Sequence, residues 1–132
     1  MAQSLFRGVH HVAIIASDYA ESKRFYVDVL QGEIVREVHR ADRQSYKLDL
    51  LLADGVQIEL FSFVNPPKRL SYPEACGLRH LALVVDDLDE ALAHVASFGV
   101  TVEPVRVDEF TGARFTFFAD PDGLPIELYE RV

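Results

Sequence analysis

The chain has 132 residues, 49% of them hydrophobic and 26% charged, with a formal net charge of −8 at pH 7. That is the make-up of one soluble globular domain, or of two small modules sharing a core. The acidic balance argues against a nucleic acid as principal partner. The single Cys76 excludes an intrachain disulfide framework and a Cys-rich zinc site and fits a reducing cytoplasm, and neither an export signal nor a membrane span is expected.

Residues 1–8 lack periodicity and read as a short arm. Val9 to Ile15 is apolar apart from His10 and His11, which predicts a strand covered on both sides. Ser17 or Asp18 can cap a helix on which Ser22, Phe25, Tyr26, Val29 and Leu30 recur at helical spacing, with Gly32 as its stop. Strands are expected over 34–39, 45–52 and 56–63, with a polar turn at 40–44 and an Asp54-Gly55 hairpin. Pro66, Pro67 and Pro73 then interrupt all periodicity, so 64–78 is expected to be a linker.

After the linker the order starts again. A strand is expected over 79–85, a helix capped by Asp86 or Asp87 and ended by Gly99, and strands over 100–107, 114–119 and 124–130. The run Phe115, Phe117, Phe118 reads as core. Asp54-Gly55-Val56-Gln57-Ile58-Glu59-Leu60 corresponds to Asp122-Gly123-Leu124-Pro125-Ile126-Glu127-Leu128, an offset of 68; His11-Val12-Ala13 corresponds to His80-Leu81-Ala82, an offset of 69. The expected fold is therefore α+β, with one domain over 1–132 built of two tandem βαβββ modules, 9–63 and 79–131. Each module is too small to bury a stable core alone.

Strand alternation separates Glu59 from Ile58 and Leu60, Glu127 from Ile126 and Leu128, and sets His11 beside Ala13 and His80 beside Ala82. On curved sheets with outer helices, two imidazoles and two carboxylates would converge on a concave face. Two buried carboxylates facing one another need a cation. The donor set suits a single divalent ion (Zn, Ni, Co, Fe or Mn), with no organic cofactor. A lone strand His is usually a core residue and a lone Glu usually exposed, but four at repeat-matched positions favour the metal. His10 is expected on the helix side of its strand, and neither His39 nor His94 as a ligand.

These motifs, together with the Asp120-Pro121-Asp122-Gly123 turn before Ile126-Glu127-Leu128, resemble the vicinal oxygen chelate superfamily that includes glyoxalase I. The resemblance covers nearly the whole chain. It implies a curved mixed sheet around one metal held by His11, Glu59, His80 and Glu127, and a small substrate with vicinal oxygens. It further implies an enediolate, with Glu127 as main base and Glu59 as ligand and second base, and a homodimer whose site can be shared between chains. Glyoxalase I enzymes carry an Arg and an Asn for glutathione where this chain has Ile15 and Phe63. Arg114 and Lys47 are expected anion contacts, with Phe63 and Tyr46 as further substrate-lining positions. The other reactions of the group remain open: a ring-cleaving dioxygenase, an epimerase, a thiol transferase, or a non-enzymatic drug-binding protein.

Overall fold

The computed structural model describes residues 3–131 and divides into two compact units, residues 1–66 and 67–132. Unit 1 runs β1 (His11–Ala16), α1 (Tyr19–Arg24), β2 (Glu33–Arg40), β3 (Ser45–Leu51) and β4 (Gln57–Ser62). Unit 2 runs β5 (Leu81–Val85), α2 (Leu88–Ala96), β6 (Arg106–Val107), β7 (Arg114–Ala119) and β8 (Pro125–Glu130). Each carries its own four-stranded mixed sheet, in the orders β1-β4-β3-β2 and β5-β8-β7-β6. The expected α+β class and the βαβββ order of each module are what the structure has. Among the described residues, no helix is long and apolar enough to cross a membrane.

In both sheets the first strand lies parallel to the last, and the remaining pairs are antiparallel. The parallel pair follows from the helix that crosses over after the first strand. Both helices start on an aspartate cap. The Glu21 amide donates to the Asp18 carboxylate at 3.1 Å and the Glu90 amide to that of Asp87 at 3.0 Å. The first helix departs from expectation after Arg24, where Phe25–Val29 form a wider π-helical turn. The left-handed stop there is Gln31 (φ 60°) rather than Gly32. Gly32 serves packing instead: a Cβ on it would stand 3.1 Å from the Tyr26 carbonyl oxygen and 3.3 Å from Leu50 Cβ.

Alternation decides which face of each sheet is buried. In unit 1, Ile14, Ala16, Leu48, Leu50, Ile58 and Leu60 are buried, as are Phe25, Tyr26 and Val29 of the helical segment. In unit 2 the buried set includes Leu88, Val95, Phe118, Ile126 and Leu128. The strand expected over 100–107 shrinks to Arg106–Val107. Pro104 has no N–H for a ladder, so the approach is held by single bonds: the Glu103 amide donates to the Phe117 carbonyl at 3.0 Å and the Thr116 hydroxyl to the Glu103 carbonyl at 2.7 Å.

One ion-pair network ties the helix start of unit 2 to its sheet. Glu130 accepts from Arg114 Nη2 at 2.8 Å, Arg114 Nε at 3.0 Å and the Leu88 amide at 2.9 Å. The Arg114 guanidinium above all, then the Leu88 amide, hold the Glu130 carboxyl well below its ordinary 4.5, at about 2. A depressed carboxyl contributes stability above its unfolded value and loses it as pH falls toward the folded one. The expected NMR titration midpoint of Glu130 is therefore about 2, rising toward the ordinary carboxylate range in Arg114→Leu. An ordinary midpoint in the unsubstituted protein would contradict the network.

Candidate metal centre

In unit 1, β1 lies parallel to β4 with Ala13 opposite Glu59 and Ile15 opposite Phe61. His11 opens the strand on that same face, and its Nδ1 stands 3.4 Å from Glu59 Oε2. On the other side of Glu59, β3 sets Asp49 directly opposite it. Asp49 is only 3% exposed. Two adjacent carboxylates would repel, but Lys47 Nζ lies 2.9 Å from Asp49 Oδ1 and 3.8 Å from Glu59 Oε1, and Arg36 Nε lies 3.3 Å from Asp49 Oδ2.

Unit 2 repeats the pair with different neighbours. Ala82 of β5 and Phe117 of β7 flank Glu127. His80 Nε2 stands 3.2 Å from Glu127 Oε1, and its ring meets Phe117 edge-on at 5.1 Å. Thus Phe117 holds the place that Asp49 holds in unit 1. Phe115 and Tyr129 continue the wall, stacked at 6.3 Å, and the Tyr129 hydroxyl donates to Asp108 Oδ2 at 2.8 Å. One Glu therefore sits in a charged setting and the other in an aromatic one.

The His–Glu spacing can be tested against a bound ion. Two donor atoms each about 2.1 Å from one cation, at angles of about 90–110°, are about 3.0–3.4 Å apart. The observed 3.4 and 3.2 Å match that separation. Imidazole nitrogen with carboxylate oxygen is also a donor chemistry that first-row divalent ions accept. The side chains of Glu59 and Glu127 are 15% and 13% exposed, enough shielding to make an uncompensated charge costly and enough access for an ion to enter.

The structure brings His11 to Glu59 and His80 to Glu127. Among the described residues it gathers no group of three or more His, Cys, Asp or Glu side chains in ligating positions. Lys47, expected as an anion contact, lies 3.8 Å from Glu59 Oε1 but is paired with Asp49 at 2.9 Å. Phe63, just past β4, stacks on Phe61 at 6.1 Å. Two of the expected substrate contacts lie elsewhere. Tyr46 pairs with His39 in register and stacks on Tyr19 of α1 at 4.3 Å, on the helix side of the sheet. The Tyr19 hydroxyl there donates to Glu37, and burial, then that bond, push its pKa up. Arg114 alternates with Phe115 and Phe117 and so points to the helix side, where Glu130 and Asp89 hold it.

Three further placements bear on the residue reading. Phe115 and Phe117 belong to the Glu127 face, and only Phe118 is core. The His10 carbonyl accepts from the Gln57 amide at 3.0 Å at the start of β1, and its Nδ1 lies 2.9 Å from that of His11. In sequence, Asp49 falls with Glu37 and Asp42 among Arg36, Arg40, Arg43 and Lys47, a run with the make-up of a solvated mixed-charge surface, yet pairing outward from the Asp54 turn sets it against Glu59.

Each unit thus presents, on the sheet face away from its helix, one His–Glu pair at ligand spacing. The chain belongs to the glyoxalase/bleomycin resistance protein/dioxygenase superfamily, whose family model matches residues 8–128. It is 60% identical to the protein YaeR of Escherichia coli, over 93% of this chain and 95% of that one. It is 30% identical to a 2-epi-5-epi-valiolone epimerase of Actinomyces, over 91% of this chain and 77% of the epimerase. The crystal structure of a glyoxalase family protein from Enterococcus faecalis superposes with a TM-score of 0.89 at 50% identity, covering 96% of this chain and all of the other.

Proposed function

We propose that the chain is a divalent-metal-dependent lyase or isomerase of the glyoxalase I type. It acts on a small substrate with vicinal oxygens and moves a proton between adjacent carbons through an enediolate. The observation that carries this reading is the repeated pair: a part-buried Glu on the same sheet face of each unit, 3.4 and 3.2 Å from a His. His11, Glu59, His80 and Glu127 would hold one ion, which when bound supplies Lewis-acid stabilisation of negative charge on the substrate oxygens.

The chain's own residues do the rest. Glu127, between Ala82 and Phe117, is the main base: its apolar walls leave it few competing partners, and the carbon acid can approach over Ala82. Glu59 is ligand and second base, restrained by Lys47. Phe115, Phe117 and Tyr129 keep water from the carbanionic carbon. Ile15 and Phe63 bring no polar group to the places where glyoxalase I enzymes hold glutathione, and both are substantially exposed. A second reading, epimerisation of a polyol ketone by the same proton chemistry, draws its support from the identity to the valiolone epimerase. The active form is a homodimer in this proposal, with the two pairs drawn from one chain or from two.

The test is reconstitution of metal-free protein separately with Ni, Co, Zn, Mn and Fe(II), followed by methylglyoxal with glutathione and by sedimentation. One bound metal per set of four ligands and metal-dependent turnover, at the mass of two chains, is the expected outcome. Metal binding without turnover would favour the epimerase reading, to be read by deuterium uptake from solvent into cyclic polyol ketones. Protein that takes up none of the five metals would sink both.

A further inference from the structure

Beside the His11–Glu59 pair the same sheet face carries a line of cations from β2. Arg36 pairs with Asp49, Val38 with Lys47 and Arg40 with Ser45 in the β2–β3 register, so alternation puts Arg36 and Arg40 on the face of Glu59 and Phe61. Arg36 and Lys47 are committed to Asp49. Arg40 is different. Its guanidinium carbon lies 5.1 Å from the Phe61 ring centroid and 5.9 Å from that of Phe63, two rings stacked within 10° of parallel. Nη2 donates to Ser45 Oγ at 2.9 Å, and Nε is buried with no acceptor.

Arg40 is half-buried, and among the described residues no carboxylate lies within ion-pair distance of it. The other half-buried cations are all satisfied: Lys23 by Glu37, Lys47 by Asp49, Arg114 by Glu130, and Arg69 by the Leu78 and Arg79 carbonyls. A part-desolvated charge lacking a counter-ion costs free energy that a bound anion would recover. The two cation–π contacts and the Ser45 bond also hold the guanidinium in place, which favours recognition of a carboxylate or phosphate there.

We propose that Arg40 is the anion-recognition residue of the site, and that the substrate carries a carboxylate or phosphate group at the end remote from its reacting oxygens. This rests on the metal-dependent reading above and narrows its substrate to small anionic hydroxy or oxo compounds. Phe61 links the two ends: Lys47 Nζ lies 5.9 Å from its centroid and 3.8 Å from Glu59 Oε1, while Arg40 covers the same ring. The chain's overall charge of −8 does not oppose this, because the charge of Arg40 itself governs at contact range, while charges spread over the rest of the surface are screened by salt.

The experiment uses metal-free full-length protein, so that any anion binding comes from side chains and not from an ion. The Arg40 Nε–H resonance, assigned by its loss in Arg40→Lys, is followed while inorganic phosphate, and separately acetate, is added. A saturable shift with at least one anion is expected, and which one binds tells phosphate from carboxylate. Arg40→Gln, followed at the Ser45 amide, should weaken it about tenfold or more, the scale of a charge-assisted hydrogen bond. An Arg40 resonance that neither anion moves, or equal binding by Arg40→Gln, would overturn the subsite. Manganese titration of the same sample keeps the two readings apart: anion binding without manganese binding removes the metal and leaves the subsite, and the reverse removes the subsite alone.

Discussion

Glu127→Gln is expected to lower the metal-dependent turnover by about a thousandfold, the middle of the range for loss of a positioned general base. The amide keeps the size and an oxygen donor of Glu127 but cannot take a proton. Metal affinity should fall far less than the rate. His80→Ala should show the opposite balance, with metal affinity down by about 100-fold or more, since removing even an outer-shell partner costs 10–100-fold. Glu59→Gln should fall between them. Lys47 Nζ remains 2.9 Å from Asp49 when Glu59 loses its charge, so the local field is only partly disturbed. Rates and manganese affinities measured side by side on the three variants decide the assignment. A larger rate loss in Glu59→Gln than in Glu127→Gln would exchange the roles of the two carboxylates.

That assignment leans on a difference between the units that the repeat itself conceals. The offsets of 68 and 69 make the two Glu and the two His legible from sequence, because period-2 alternation is rigid within a strand. What stands across from each Glu depends on hairpin register: Asp49 in one sheet, Phe117 in the other. Register can be counted outward from Asp54, yet Asp49 blends into its charged neighbours when read linearly. Tyr46 and Arg114 show the same limit from the other side. Each is one residue from the site face, and one step along a strand carries a side chain through the sheet. The over-long reading of β6 has a simpler cause, as the apolar run around Pro104 has strand composition without a full set of donors. Arg40 is least visible of all. It sits at the end of β2 before a 3₁₀ turn, and nothing in sequence says that its guanidinium lies on Phe61.

The second large effect expected is on stability. Leu60 is fully buried between Glu59 and Phe61 on β4, with Ile14 and Leu48 as its cross-strand neighbours. Its side chain points to the helix face while those of its two neighbours point to the site face. Leu60→Ala should therefore cost about 3 kcal/mol, within the range for emptying a buried leucine, and leave His11 and Glu59 in place. A ligand that binds only the folded chain adds about 2.7 kcal/mol at 100 times its dissociation constant. Manganese at that level should shift the urea midpoints of the unsubstituted protein and of Leu60→Ala upward by nearly equal free energies, because the cavity would open on the helix face of the sheet and the proposed ion would sit on the other. His80→Ala should show no such shift. Equal manganese stabilisation of His80→Ala would place the ion elsewhere. Loss of the shift in Leu60→Ala would mean that the site face depends on the packing beneath it, so that the core of unit 1 helps set the metal affinity.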